Sequence, residues 1–341
     1  MTLPFALPFG LDLPLVWAGI IGFSVAWYVV ADGFDLGIGL LFPFARGEKD
    51  RDQMMASVKP FWDGNETWLI LGGGGLLVAF PRAYSIMMPA LYLPVIVMLL
   101  GLIFRGVAFE FRGLANRKQG WNFAFTAGSA VASFAQGVIL GGFIQGARVE
   151  NGAYAGGTFD WLTPFSIVCG LGILSGYTLL GSTWLVLKTS GDLARRARSQ
   201  ALYALGAVLF FMALVSLWTP LVFPRIYERW FTLPNFFYFA PVPIFTAATA
   251  LACGWGLMRN NDTVPFYASI VLFLLGYLGL VISVFPYLVP PSLTIWQTAA
   301  AESSQTFMLI GTLVLLPIIL AYTFFVYWLF RGKVREGESY H

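Results

Sequence analysis

Of the 341 residues, 58% are apolar and only 11% are charged, which is more apolar surface than a water-soluble core can hide. The net charge of +3, with no basic tail, argues against a nucleic-acid partner. Two cysteines, Cys169 and Cys253, lie inside apolar runs without metal-binding or redox spacing, and the one histidine, His341, is the last residue. Heme and redox-metal centres in membrane proteins lean on imidazole, so no metal ligand is expected in this chain.

The apolar blocks predict an all-α polytopic membrane protein, a single integral membrane domain over residues 1–341. The first segment has no Lys or Arg and no small-residue cleavage pattern, so no cleaved signal peptide is expected. The first span is read over 13–42. Its second half carries Asp32 and Asp35 on one face, with Gly33, Gly37 and Gly39 allowing a neighbouring backbone to come close. A charged loop, 46–59, leads to a span over 60–80, which opens with Phe-Trp-Asp-Gly-Asn-Glu-Thr-Trp. There Asp63 and Glu66 share a face, and Trp62 and Trp68 are placed to anchor at headgroup level. The bland alternative for the two acids is helix capping. Gly72 to Gly75 reads as a close-packing run.

A span over 84–111 ends with Arg105 and Glu110 among aromatics. Further spans follow over 121–146 (with Ser129, Ser133, Gln136 and Gln145), 161–188 and 200–221, the last after a basic turn of Arg195, Arg196 and Arg198. Residues 223–243, rich in Pro and aromatics, read as an interfacial excursion with Trp230 and Tyr238 at headgroup depth. Spans over 242–258, 265–285 and 303–330 complete a set of about nine.

Sixteen of the twenty Lys and Arg fall at the helix ends and connections of one side and four on the other. The positive-inside rule then puts the N-terminus outside and the C-terminus in the cytoplasm. On this map Asp32, Asp35, Asp63, Glu66 and Glu110, with Arg105, share the cytoplasmic half of three consecutive helices. Charges inside a membrane helix are costly and are usually kept for an ion or proton path. The cluster therefore reads either as a proton-entry funnel or as a polar clamp in which Arg105 neutralises an acid and ties the helices together.

The motifs Asp-Gly-Phe-Asp-Leu-Gly-Ile-Gly (32–39), Trp-Asp-Gly-Asn-Glu-Thr-Trp (62–68) and Phe-Arg-Gly-Val-Ala-Phe-Glu-Phe-Arg (104–112) resemble subunit II of cytochrome bd-type quinol oxidases. Phe285-Pro-Tyr, Ser-Leu-Thr-Ile-Trp296 and Leu316-Pro-Ile-Ile-Leu320 fit the same family, so the likeness covers nearly the whole chain. The resemblance implies a bacterial inner membrane protein of two four-helix bundles plus one extra helix. It also implies a partner, subunit I, that carries two b-type hemes, heme d and the quinol site; quinol oxidation is coupled there to reduction of dioxygen with cytoplasmic protons. Small accessory subunits attach in some members, and some bind a quinone within subunit II. Family members pass protons through acids matching Asp32, Asp63 and Glu110, with Arg105, Trp62 and Trp68 expected here as a structural clamp. Two departures stand out: Glu110 replaces the usual Asp, and Gln297 replaces an acid after Trp296, which resembles the cyanide-insensitive branch. The rival from another class is a proton-coupled secondary transporter, whose acids would lie near the midplane; a pure scaffold is the third reading.

Overall fold

The computed structural model describes residues 12–334; the segment for which no cleaved signal peptide is expected and His341 fall outside them. Helix α1 (Leu13–Leu41) begins where the Asp12 carboxylate accepts the Leu15 N–H at 3.0 Å, with Pro14 presetting the first turn. The loop expected over 46–59 is instead largely helical. In α2 (Glu48–Ala56), Glu48 and Asp50 complement the positive end of the first turn, and Met54, Met55 and the following Val58 are buried in the core.

Eight further long helices follow: α3 (Trp62–Ala79), α4 (Pro81–Arg112), α5 (Gln119–Gln145), α6 (Pro164–Lys188), α7 (Gly191–Val222), α10 (Pro241–Met258), α11 (Val264–Val284) and α13 (Glu302–Leu329). The excursion between α7 and α10 is two short helices, α8 (Pro224–Phe231) and α9 (Asn235–Phe239). Trp230 is not free at an interface: its indole N–H donates to Ser283 of α11 at 2.9 Å, while Tyr238 is exposed. The basic turn before α7 does not exist as a turn. Arg195, Arg196 and Arg198 lie within the helix, and each finds an acid, Asp192, Asp50 and Asp262 respectively.

The connections sort onto two faces. On one, Arg112 pairs with Glu48 and Asp52 at 2.6 Å each, Lys118 with Asp52 at 3.1 Å, and Arg198 and Lys333 with Asp262 at 2.5 and 2.7 Å. On the other lie the hairpin of β1 (Val149–Glu150) and β2 (Ala153–Tyr154) and that of β3 (Tyr287–Val289) and β4 (Leu293–Thr294), followed by α12 (Ile295–Thr298). There Trp296 donates to Asp12 at 2.7 Å and Ala147 N–H to Pro290 at 3.1 Å.

Eight of the described helices are long and apolar enough to cross a membrane. α3 falls short because Asp63, Asn65, Glu66 and four glycines dilute its apolar content. Its 18 residues nonetheless reach about 27 Å, and its ends are tied to opposite faces. Asn65 accepts the Tyr327 hydroxyl near the end of α13 at 2.9 Å, whereas Ala79 C=O takes the Ala300 N–H at 2.9 Å. α3 therefore runs from face to face with the other eight.

α1, α3, α4 and α5 form one bundle. α6, α7, α10 and α11 form the second around Leu179, Leu205, Cys253 and Leu272. α13 is the extra helix, lying against α1 and α3. The bundles meet where α1 crosses α6 with backbones nearly touching. A Cβ on Gly37 would sit 1.9 Å from the Tyr177 carbonyl oxygen, and Gly181 faces it from α6 with equally little room. Gly101 and Gly128 make the corresponding close crossing of α4 and α5. The Gly72–Gly75 run is only half a packing device: Gly72 and Gly75 meet Val25 and Ile21, while Gly73 and Gly74 are exposed with open space around them.

Two outcomes are expected. Gly37→Ala should lower the melting temperature of the purified protein or prevent its accumulation, a cost of about 1–3 kcal/mol from overpacking, whereas Gly74→Ala should melt like the parent. At Glu48, partial burial works against the charge, but hydrogen bonds from Arg51 and Asn122 and the Arg112 charge outweigh it, holding the carboxyl below the usual Glu range. The folded value lies below the unfolded one of about 4.3, so the stabilisation is complete above that pH and is lost as pH falls through the lowered value. Glu48→Gln should thus lower the melting temperature near pH 7, and the difference from the parent should shrink as pH falls below about 4.3.

Candidate functional site: a buried arginine among carboxylates

Arg105, seven residues before the end of α4, has no exposed side-chain surface. Its Nη2 lies 2.7 Å from Asp32 Oδ1, also fully buried, and makes a second ion pair with Glu66 of α3. One guanidinium thus joins α1, α3 and α4. The clamp is wider than a neutralised single acid, because Arg105 serves two carboxylates and acts electrostatically on a third, Asp35. Asp35 accepts the Asn65 amide N–H at 2.7 Å, and Asn65 also donates to the Ala31 carbonyl at 3.2 Å. Through Tyr327 the same amide ties α13 to the cluster.

Asp63 and Glu110 stand apart from this inner layer. Both are exposed in the chain, and they lie within electrostatic reach of each other at the basic-face ends of α3 and α4. The helix-capping reading of the α3 acids holds only in part: no side chain caps its N-terminus and Glu66 is engaged by Arg105, but Asp63 does lie in the first turn, at the positive end. The indoles are not headgroup anchors. Trp62 is stacked on Phe109 of α4 at 5.2 Å between centroids and 8° between planes, closing the α3–α4 contact beside Arg105. Trp68 is buried, wedged against Phe23 and Trp27 of α1, and its carbonyl accepts the Ser24 hydroxyl at 2.6 Å. A run of glycines and polar residues lets α3 sink against α1 there, taking the indole with it.

On the far side of Asp32 the polar residues continue inward. Tyr28, one turn earlier on α1, neighbours Asp32. Its hydroxyl oxygen accepts from Gln136 Nε2 at 2.8 Å, and Gln136 Oε1 accepts from Tyr177 at 2.5 Å. Asn65, Tyr28, Tyr177 and Tyr327 were not among the residues expected at the site. Asn65 could have been found, since it lies inside the Asp63–Glu66 motif, and Tyr28 precedes Asp32 by one helical turn. Tyr327 and Tyr177 carry no local signal.

The interior donor set is carboxylate, carboxamide, phenol and guanidinium, and among residues 12–334 there is no imidazole. Carboxyls and phenols of this kind can hold a proton. A family model for cytochrome bd terminal oxidase subunit II matches residues 13–330. The chain belongs to that family. It is 29% identical to the cytochrome bd-I ubiquinol oxidase subunit 2 of Escherichia coli K12 over 96% of each chain. It is 28% identical to the cytochrome bd ubiquinol oxidase subunit 2 of Bacillus subtilis 168, over 95% of this chain and 97% of that one. Among solved structures, a chain of the bd oxidase from Geobacillus thermodenitrificans superposes with a TM-score of 0.80 at 16% identity, covering 94% of this chain and 99% of that one, a likeness of fold. This is a multi-pass membrane protein of the respiratory oxidase class.

Removing Arg105 leaves buried acids without their cation, a loss of about 3–5 kcal/mol. Arg105→Gln should therefore fail to accumulate in membranes, and adding Asp32→Asn should recover part of the yield, as read by quantitative immunoblot and thermal melting.

Proposed function

We propose that this chain is the non-heme subunit II of a quinol-oxidising bd-type complex, and that its acid cluster is part of the route by which cytoplasmic protons reach the partner. The family, and the ubiquinol oxidase subunits among its relatives, support the assignment. The partner is a heme-bearing subunit I, with two b-type hemes, heme d and the quinol site, where two quinols give four electrons and dioxygen takes four protons to become two waters. The basic face, the side to which the sequence count gives sixteen of the twenty Lys and Arg, is assigned to the cytoplasm.

The observation that carries the proton role is the layered placement of five carboxyls around one guanidinium. The exposed pair Asp63 and Glu110 forms the mouth on the cytoplasmic side. Glu66 is the intermediate, partly exposed and paired to Arg105, and Asp32 and Asp35 form the sealed interior. A single Arg105 cannot balance three inner acids in an apolar bundle, so the cluster retains protons that a neighbouring acceptor can draw on. Arg105 Nε and Nη1 and Asp35 Oδ1 have no protein partner among the described residues and suit bridging water. The clamp and the funnel coexist: Asp32 and Arg105 hold the helices, while Asp63, Glu110 and Glu66 exchange protons. A secondary transporter is the weaker reading, because all five acids gather at one face rather than flanking broken helices at the midplane.

Asp63→Asn keeps the shape of the side chain and removes its proton. Quinol-driven oxygen uptake by the intact complex should fall about ten-fold or more, within the range for a lost proton-transfer group, while the heme spectrum stays unchanged. Undiminished turnover would turn the assignment to scaffold.

A further inference from the structure

Away from the acid cluster, a cleft of about 280 Å³ opens on the basic face between the end of α1 and the start of α7, lined by Arg46, Asp192, Arg195, Arg196 and Ser199. Its charges do not cancel. Asp192 pairs with Arg195, and Asp50, behind the cleft, pairs with Arg196 at 2.5 Å, so three arginines face two acids and one positive charge remains. The donors are not used up either. The exposed Arg46 guanidinium has no ion pair among the described residues, and Arg196 Nη1 is buried without a partner. Guanidinium donors left free in a fork, one net positive charge and a neighbouring hydroxyl make up the recognition set for a monoanionic phosphate diester.

A second observation says where that phosphate comes from. Ser199 is followed along the same face of α7 by Tyr203, Gly206 and Phe210, at the i, i+4, i+7 and i+11 spacing of one helical stripe, and all are exposed. Tyr203 and Phe210 lie about 6 and about 16 Å beyond Ser199 along the helix, so the polar cleft grades into an aromatic and then apolar track. The exposed Phe44 stands near the cleft, at the end of α1. A basic head site continued by an apolar track suits an amphiphile. This face also lies away from α3 and α4, since α7 packs on α6 and α10.

We infer that the Arg46–Arg195–Arg196–Ser199 cleft binds the phosphodiester headgroup of an anionic phospholipid of the leaflet at the basic face, with an acyl chain lying along Tyr203 and Phe210. Arg46 and Arg195 donate to the phosphate oxygens, Arg196 adds its charge from the cleft wall, and Ser199 reaches the headgroup hydroxyls or the ester. Because the cleft joins the α1–α2 connection to the start of α7, an occupied site braces the two bundles at the face where the acid cluster opens.

The test is native mass spectrometry of the purified, delipidated oxidase complex titrated with phosphatidylglycerol or phosphatidylcholine. The parent should retain phosphatidylglycerol in preference to phosphatidylcholine, and inorganic phosphate at millimolar concentration should not displace it. Arg46→Gln with Arg195→Gln should weaken this saturable binding about 25-fold, at about 5-fold for each arginine near a membrane surface. Ser199→Trp should also weaken it, by filling the cleft with every charge in place. Arg148→Gln, on the opposite face, is the control and should bind as the parent does. Equal retention of the two lipids, or unchanged phosphatidylglycerol binding in both cleft variants, overturns the assignment. So does displacement by inorganic phosphate, which would give the cleft to a free anion.

Discussion

The contact on which the rest of this molecule depends is the ion pairing of Arg105 with Asp32 and Glu66 inside a bundle that is otherwise apolar. A guanidinium with no exposed surface can persist only if carboxylates come to it, and each carboxylate arrives on a different helix. The pairing therefore specifies which faces of α1, α3 and α4 must meet, which apolar packing in a membrane specifies poorly because lipid tails compete on equal terms with side chains. Asn65 extends the specification to α13 by donating to Asp35 while accepting from Tyr327.

Such a cluster needs helices close enough for short side chains to reach one another. Asp reaches less far than Glu, and both α1 acids are Asp. The crossings at Gly37–Gly181 and Gly101–Gly128 bring α1 against α6 and α4 against α5 almost backbone to backbone, which sets the depth of Asp32 and of Arg105 from behind. Glu66 belongs to the more loosely held α3, where Gly73 and Gly74 touch nothing, and it alone of the inner acids keeps some exposure. Length and exposure thus fall on the residue of the cluster nearest the surface. The rigid crossings fall on the residues that hold the charge.

Much of this was legible in the sequence, because membrane helices announce themselves by apolar length and the acids are conspicuous against that background. Family membership rested on ordered motifs, which tolerate low overall identity. What stayed hidden has physical reasons. The spacing of Asp32 and Arg105 along the chain carries no signal that they touch, since packing alone decides it. Arg195, Arg196 and Arg198 looked like a turn because charge usually marks the end of a span. Here the arginines lie inside α7 itself and are satisfied by Asp192 of the same helix and by Asp50 and Asp262 from neighbouring elements. Trp62 and Trp68 looked like interfacial anchors because indoles favour that depth. They are instead drawn inward by Phe109 and by the Phe23–Trp27 pair, partners that local sequence cannot reveal.

The basic face does more than orient the chain. Its ion pairs run between elements distant in sequence: α2 to the end of α4, α2 to α7, and the start of α11 to the residues after α13. Each pair alone is worth little at an exposed surface, but together they close the basic-face ends of the helices that carry the acids. The Lys and Arg that satisfy the insertion rule are thereby reused as a fastening. Asp63 and Glu110 are left out of that fastening: neither has an ion-pair partner among the described residues, although Arg112 lies only two positions beyond Glu110 and is taken by Glu48 and Asp52. Had Arg112 turned to Glu110, the outer carboxylate would be pinned as a counter-ion. By engaging Arg112 elsewhere, α2 leaves Glu110 beside Asp63 without an ion-pair partner among the described residues.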